Sequence, residues 1–328
     1  MRELKNLCDI PSPAGDESRI FKYIADSFRN KFSIESDNLG NILINPNKNI
    51  LISAHMDELA LIISNITDDG FIHFLRNSGE DRKCLPGHRF IILAGDKVIP
   101  AVCMKKAIHV ETDEEYNSVD KTENLVLSVG ATSKDEVLGM GISIGDLVVY
   151  ERNYTELGEF QICSQGLDDK AGSWVVIEIL KELGNNLVTG ALCCQEETGL
   201  IGARTLMSHS KFDISIDLDV CHSTEPALGI NSNIYGDIKL GKGVVIEISS
   251  SCNRELSKKF IEIAKKNNIP YQVKAGIGGG TNTIEFLKGG AKTLLLSIPC
   301  QNMHTPVEII DRRDLISAKN LILAWLIN

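Results

Sequence analysis

Residues 50–58 read ILISAHMDE and residues 189–199 read TGALCCQEETG. Each is a short apolar run that stops at a cluster of imidazole and carboxylate groups. Apolar runs of this length, rich in Ile, Leu and Ala and without polar alternation, fit strands buried on both faces of a sheet. In open α/β sheets, functional groups gather beyond the carboxyl ends of such strands. His55 to Glu58 and Gln195 to Gly199 stand at that position. So does Asp219, at the end of the run 214–220. His304 follows the run 294–298, and the pair Asp168-Asp169 precedes a helical pattern that starts at Ala171.

Working outward, runs at 42–44, 50–52, 190–194, 214–220 and 292–298 read as strands. Patterns of 3.6-residue period at 171–183, 200–208, 254–267 and 315–327 read as helices. Near the start, 11–15 is a loop, and Asp16 or Ser18 caps a helix whose apolar positions are Ile20, Phe21, Ile24 and Phe28. The alternation predicts an α/β fold, a central mixed sheet covered by helices on both faces. Residues 61–151 break the pattern. Short β-rich runs at 61–66, 71–75, 89–93, 98–104, 125–129 and 147–150 alternate with Asp/Gly turns, with no strong helix between them. The reading is an inserted all-β domain at 61–151 within a discontinuous α/β domain of 1–60 and 152–328.

The 328 residues carry a formal net charge of −10. An acidic surface argues against nucleic acid and against anionic membranes as partners. The opening MRELKNLCDIPSPAGDES has no apolar signal region, and no apolar run spans a bilayer, so a cytoplasmic location is expected. The nine cysteines include no CxxC pair and read as reduced, mostly buried thiols.

The residue types suit one chemistry. Zinc-like ions take His nitrogen and carboxylate oxygen. Two ions about 3.5–4 Å apart need one carboxylate that binds both. A metal-bound His needs an orienting partner, which Asp57 can supply to His55. Another carboxylate must move a proton from the attacking water to the leaving amine. Of the neighbours Glu196 and Glu197, one can ligate while the other acts as base. Taken singly, each cluster has an ordinary explanation: a packed histidine, a helix cap at Asp168-Asp169, a surface charge pair, a loop residue. Five such accidents on one edge of one sheet do not.

The ordered set of segments resembles the M42 aminopeptidases. It runs from 4–17 and 37–41 through Ala54-His55-Met56-Asp57-Glu58, Leu85-Pro86-Gly87-His88-Arg89, 129–133 and 141–146. It continues through 166–172, 195–200, Asp219-Val220-Cys221-His222, Gly278-Gly279-Gly280-Thr281 and 298–308. The resemblance implies two divalent ions per chain, zinc or cobalt. His55, Asp219 and a bridging Asp168 would hold one, and Glu197, His304 and Asp168 the other. It implies Glu196 as general base, Asp57 as the partner of His55, and removal of amino-terminal residues from short peptides. It also implies that the insert is a dimerisation domain and that dimers assemble further, up to a dodecamer. Lys170, Asn282 and Gln301 depart from the family pattern, where Arg, Asp and Arg are usual. Pro100 and Ala101 interrupt a strand that is glycine-rich in the family.

Three other readings compete. An M20-like N-deacylase or carboxypeptidase would use the same metal pair. A glycosidase needs only two carboxylates, and five ligand-type residues exceed that need. A non-catalytic metal-binding protein would have no use for the extra glutamate.

Overall fold

The computed structural model describes residues 1–184, 187–276, 278 and 280–327. It divides into two compact units. One comprises Met1–Glu58, Asn153–Met303 and Val307–Asn328, the other Leu59–Arg152 and His304–Pro306.

The first unit is built on an 11-stranded mixed sheet. Its centre is four parallel strands, Thr189–Cys193, Ile50–His55, Ile214–His222 and Lys292–Gln301, side by side in that order. Ile42–Ile44 pairs antiparallel with Thr189–Cys193, and Glu308–Asp311 pairs antiparallel with the end of Lys292–Gln301. The period of two is visible in the packing. Ile52, Ala54 and Leu192 face a large core under the helix Leu167–Leu183, together with Val175, Ile179 and Leu180. Leu51, Ala191 and Cys193 face the other way, against Leu206 and Phe286 of the helices Ile201–His209 and Thr283–Lys288. Helices therefore cover both faces, as the apolar strands require.

The strands Val244–Ile248 and Tyr271–Ala275 extend this sheet, although the sequence reading assigned neither. The helix Leu167–Leu183 is buried over most of its circumference, by apolar residues from Trp174 to Leu180 and by polar residues in its first turns, Asp168, Asp169, Lys170 and Ser173. At the other extreme, Arg254–Lys266 is two-faced. Asn253 caps it by accepting from Leu256 N at 3.0 Å, and Lys265 and Lys266 occupy its last turn.

The second unit contains a closed barrel of six strands. In order around the barrel they are Leu61–Ile66, Ile72–Arg76, Leu127–Ser128, Lys97–Cys103, Arg89–Ala94 and Leu147–Tyr150. Its interior is filled by Leu61, Ile63, Phe74, Phe90, Ile92 and Val148. The all-β reading of this stretch needs correction, because α-helices lie at Asp113–Tyr116 and Lys134–Met140. Local capping explains them. Thr112 forms a reciprocal capping box with Glu115, Ser133 accepts from Glu136 N, and Gly141 (φ 96°) closes the second helix in the left-handed region. Pro100 and Ala101 do not interrupt their strand. Lys97–Cys103 runs through both, with Pro100 opposite Ile91. The strand's other neighbour pairs only at Val102 and Cys103, so the missing N–H of Pro100 removes no bond on that side.

Near the chain start, Asp16 accepts from Ser18 N at 3.4 Å, but the N-cap position of Ser18–Phe28 is Glu17. Among the described residues no helix is long and apolar enough to cross a membrane. None of the nine cysteines forms a disulfide.

Candidate metal centre

The parallel strands bring His55, Asp168 and Asp219 together. His55 ends its strand, Asp219 lies near the end of the neighbouring one, and Asp168 sits in the distorted first turn of Leu167–Leu183. Asp168 and Asp169 have non-helical backbone angles and are joined by a cis peptide bond. Asp169 caps the regular helix that follows, its Oδ1 accepting from Gly172 N, three residues on, at 2.7 Å.

His55 Nε2 lies 3.0 Å from Asp168 Oδ1 and 4.0 Å from Asp219 Oδ1, and its Nδ1 is 3.4 Å from Asp57 Oδ1. One ligand atom from each of His55, Asp168 and Asp219 falls within 4.8 Å of the others, and all three residues are buried. A tetrahedral ion with bonds of about 2.0–2.1 Å holds its ligand atoms about 3.3 Å apart, between the two Nε2 separations. Asp168 also shares a 4.8 Å neighbourhood with a carboxylate oxygen of Glu197. Within the second unit, His304 Nδ1 donates to the Gly79 carbonyl at 3.1 Å, since a carbonyl only accepts. That bond leaves the lone pair of the neutral ring on Nε2.

Asp57 does more than face His55. Its Oδ1 accepts from Glu196 N at 3.0 Å and its Oδ2 from Glu197 N at 3.1 Å. One buried carboxylate thus fixes the backbone of both glutamates and faces the imidazole. Ser173 Oγ donates to the His55 carbonyl at 2.8 Å, tying the helix to the strand end. The fully buried Lys170 donates from Nζ to Ser12 Oγ at 2.6 Å, and Ser12 Oγ donates to the Met56 carbonyl at 2.7 Å. Lys170 thus braces the segment His55–Glu58 from behind.

The electrostatics call for a cation. Burial, then the charges of Asp168 and Glu196, hold the Asp219 carboxyl well above the usual range. Asp169 is likewise raised, by burial first and by Asp219 and Asp168 after His55 has opposed it. Glu196 is pushed up to about 9 by burial, against His55 and with the help of Glu197, Asp57 and Asp168. For His55, burial lowers the imidazole, but hydrogen bonds to Asp168 and Asp57 outweigh it and leave it raised. Buried carboxylates crowded around one imidazole are costly unless a positive charge compensates them. Imidazole and carboxylate are also the donor set that zinc-like ions accept. These residues fit a divalent cation.

Comparison with known proteins settles the family. The sequence profile of the M42 glutamyl aminopeptidases matches residues 40–321. The chain belongs to the M42 peptidase family. A putative aminopeptidase of Acetivibrio thermocellus is 30% identical over 330 residues, covering 97% of this chain and 96% of the relative. A lysyl aminopeptidase of Pyrococcus furiosus is 29% identical over 307 residues, covering 90% and 85%. Among solved structures, the Pyrococcus horikoshii TET1 peptidase, described as assembling into a tetrahedron or a large octahedral shell, superposes with a TM-score of 0.89. It is 31% identical and covers 99% of this chain and 98% of its own. As an M42 peptidase, the protein is a metal-dependent aminopeptidase, a hydrolase that removes amino-terminal residues from peptides. The N-deacylase and carboxypeptidase alternative is not favoured.

Sequence reasoning missed Ser12 and Lys170 as supports of the centre. Their only signal was position, in short polar stretches on loops and helix starts. Of the segment 278–281, Gly279 lies outside the described residues.

Proposed function

We propose that this M42 aminopeptidase works with two divalent ions per chain, zinc or cobalt. His55, Asp168 and Asp219 hold one, and Asp168, Glu197 and His304 hold the other. The observation that carries the reading is the buried meeting of His55 Nε2 and Asp219, at the ends of parallel strands, with Asp168 in the first turn of the helix Leu167–Leu183. When bound, such ions supply Lewis acidity, polarising the scissile carbonyl and lowering the pKa of water.

The chain's own groups do the rest. Asp57 keeps the His55 ring oriented and holds the amides of Glu196 and Glu197. Glu197, with a carboxylate oxygen near Asp168, would hold an ion, and Glu196 is left for proton transfer. The Glu196 carboxylate takes a proton from the attacking water as the C–O bond forms. It returns that proton to the amine nitrogen as the C–N bond breaks.

We further propose that residues 61–151 form an oligomerisation domain beside a catalytic domain of 1–60 and 152–328. The protein would then be a homo-oligomer, a dimer or a dodecamer built from dimers, acting on short peptides in the cytoplasm. Support comes from the TET relatives, whose structures are described as dodecameric, tetrahedral and octahedral.

The test is elemental analysis with a panel of aminoacyl substrates on wild type, Glu196→Gln and Glu197→Gln. Glu196→Gln should keep its metal and lose about 10²–10⁴-fold in kcat. Glu197→Gln should lose metal affinity. The opposite pattern would exchange the two roles. One ion or none in an active preparation would remove the two-ion reading.

A further inference from the structure

The turn that carries Glu196 and Glu197 is held by a second carboxylate besides Asp57. Glu17 occupies the N-cap position of the helix Ser18–Phe28, yet its side chain makes no capping bond there. It points inward instead and is 6% exposed. Its Oε1 accepts from Gly15 N at 3.1 Å and from Gln195 N at 3.0 Å. Gln195 directly follows the strand Thr189–Cys193 and Cys194, and it has a φ of 51°. A left-handed residue other than glycine persists only where its surroundings hold it.

Three consecutive amides, those of Gln195, Glu196 and Glu197, are therefore accepted by two buried carboxylates. Asp57 grips the glutamate end of the turn and Glu17 the end nearest the strand. The two carboxylates come from separate stretches of chain, so the turn is fixed from both sides. Bonds from backbone N–H to a carboxyl oxygen are directional. The direction of the Glu196 side chain follows from its backbone, and that backbone is set at Gln195.

We propose that Glu17 is a positioning residue for catalysis, aiming the Glu196 carboxylate by holding the Gln195 amide. The proposal rests on the reading of Glu196 as the base. Glu17 touches neither substrate nor metal in this scheme. What it supplies is an acceptor oxygen at a fixed place, not a charge. Its carboxyl is pushed up to about 7 by burial and by the charge of Asp57, so a neutral glutamine suits the site and keeps the acceptor.

The experiment compares Glu17→Ala, Glu17→Asp and Glu17→Gln in the metal-loaded, full-length enzyme. Three quantities are read: kcat and KM on an aminoacyl anilide, metal content, and hydrogen exchange of the peptide covering residues 194–200. Glu17→Ala should exchange faster in that peptide and lose about 10- to 100-fold in kcat, the cost of a misplaced catalytic group. KM and metal content should not change, and Glu17→Gln should restore both exchange and kcat. Glu17→Asp, one methylene shorter, should fall between, and it carries the test if the alanine variant does not fold. A merely structural role would lower thermal stability and leave kcat per folded molecule untouched, which would overturn the proposal. So would a glutamine variant as impaired as the alanine variant, or a loss of kcat without faster exchange. Glu196→Gln, run alongside, separates the two readings. If it kept full kcat, the base assignment would fail, while the exchange and kcat of the Glu17 series would still decide whether Glu17 sets the turn.

Discussion

Replacing Asp57 by Asn should cut metal affinity by about one to two orders of magnitude while leaving the fold intact. The wild-type carboxylate accepts from Glu196 N at 3.0 Å and Glu197 N at 3.1 Å, and it faces His55 Nδ1 at 3.4 Å. Asparagine has one oxygen and one NH₂ at the same two places. Whichever way the amide turns, it sets a donor against a backbone donor. One charge-assisted bond, about 1.5–3 kcal/mol, is then lost. At about 1.4 kcal/mol per decade this is roughly 10- to 150-fold. That range agrees with the 10–100-fold typical of groups that orient metal ligands. The assay is a competition titration of metal-free enzyme with zinc and a chromophoric chelator, after circular dichroism shows that the variant is folded. An Asp57→Asn protein that bound zinc with wild-type affinity and turned over at the wild-type rate would refute the claim that this carboxylate organises the centre.

Three other outcomes follow from the geometry. Asp168→Asn, at the proposed bridge, should reduce the metal content from about two ions per chain toward none; retention of both in elemental analysis would dismiss the bridge. Gly172→Ala would place its Cβ against the Asp169 carboxylate and should cost about 1–3 kcal/mol by overpacking, seen as a lowered Tm; an unchanged melt would show that Asp169 yields freely. Asp314 is fully buried and accepts from Gly241 N and Gly243 N, both at 2.7 Å, and burial pushes its carboxyl up to about 7 despite those bonds. Since an unfolded Asp titrates near 3.9, the folded chain holds a proton that the unfolded chain has lost between about pH 4 and 7. The stability this group contributes is complete below about pH 4 and declines as pH rises through 7, by about 4 kcal/mol in all. Asp314→Asn should flatten that decline in melts between pH 5 and 8, and equal slopes for the two proteins would count against it.

The strand ends were legible because two simple rules act there. Apolar runs such as 50–54 must be buried, and the polar residues that interrupt them, His55 and Asp57, mark where the sheet stops. The supports behind them were not legible. Asp16 or Ser18 draws the capping role, and Glu17 between them carries no local signal until the turn at Gln195, 178 residues away, is seen beside it. Lys170 was noticed only as a departure from a family pattern, since nothing local says that a lysine will be buried against Ser12. The strands Val244–Ile248 and Tyr271–Ala275 were missed for another reason. They pair with each other in parallel across the helix Arg254–Lys266, but Tyr271–Ala275 is only partly buried, so its hydrophobic pattern is weak. In the barrel, the helix Lys134–Met140 escaped notice because its buried face is Val137 alone, too little to register as a period.

The order of the central strands has a consequence for how the chain reaches this state. Ile50–His55 lies between Thr189–Cys193 and Ile214–His222, so its partners are synthesised well over a hundred residues after it. The polypeptide must close long loops before these parallel pairs form, and such topologies are slow. His55 and Asp168 are 113 residues apart in sequence, so a disordered chain offers a cation no chelating cluster. A cation captured by these residues therefore acts only on the finished sheet. It adds RT ln(1 + [L]/Kd), about 4 kcal/mol at a thousandfold excess over Kd, and does so by retarding escape from the native state rather than by guiding the chain toward it.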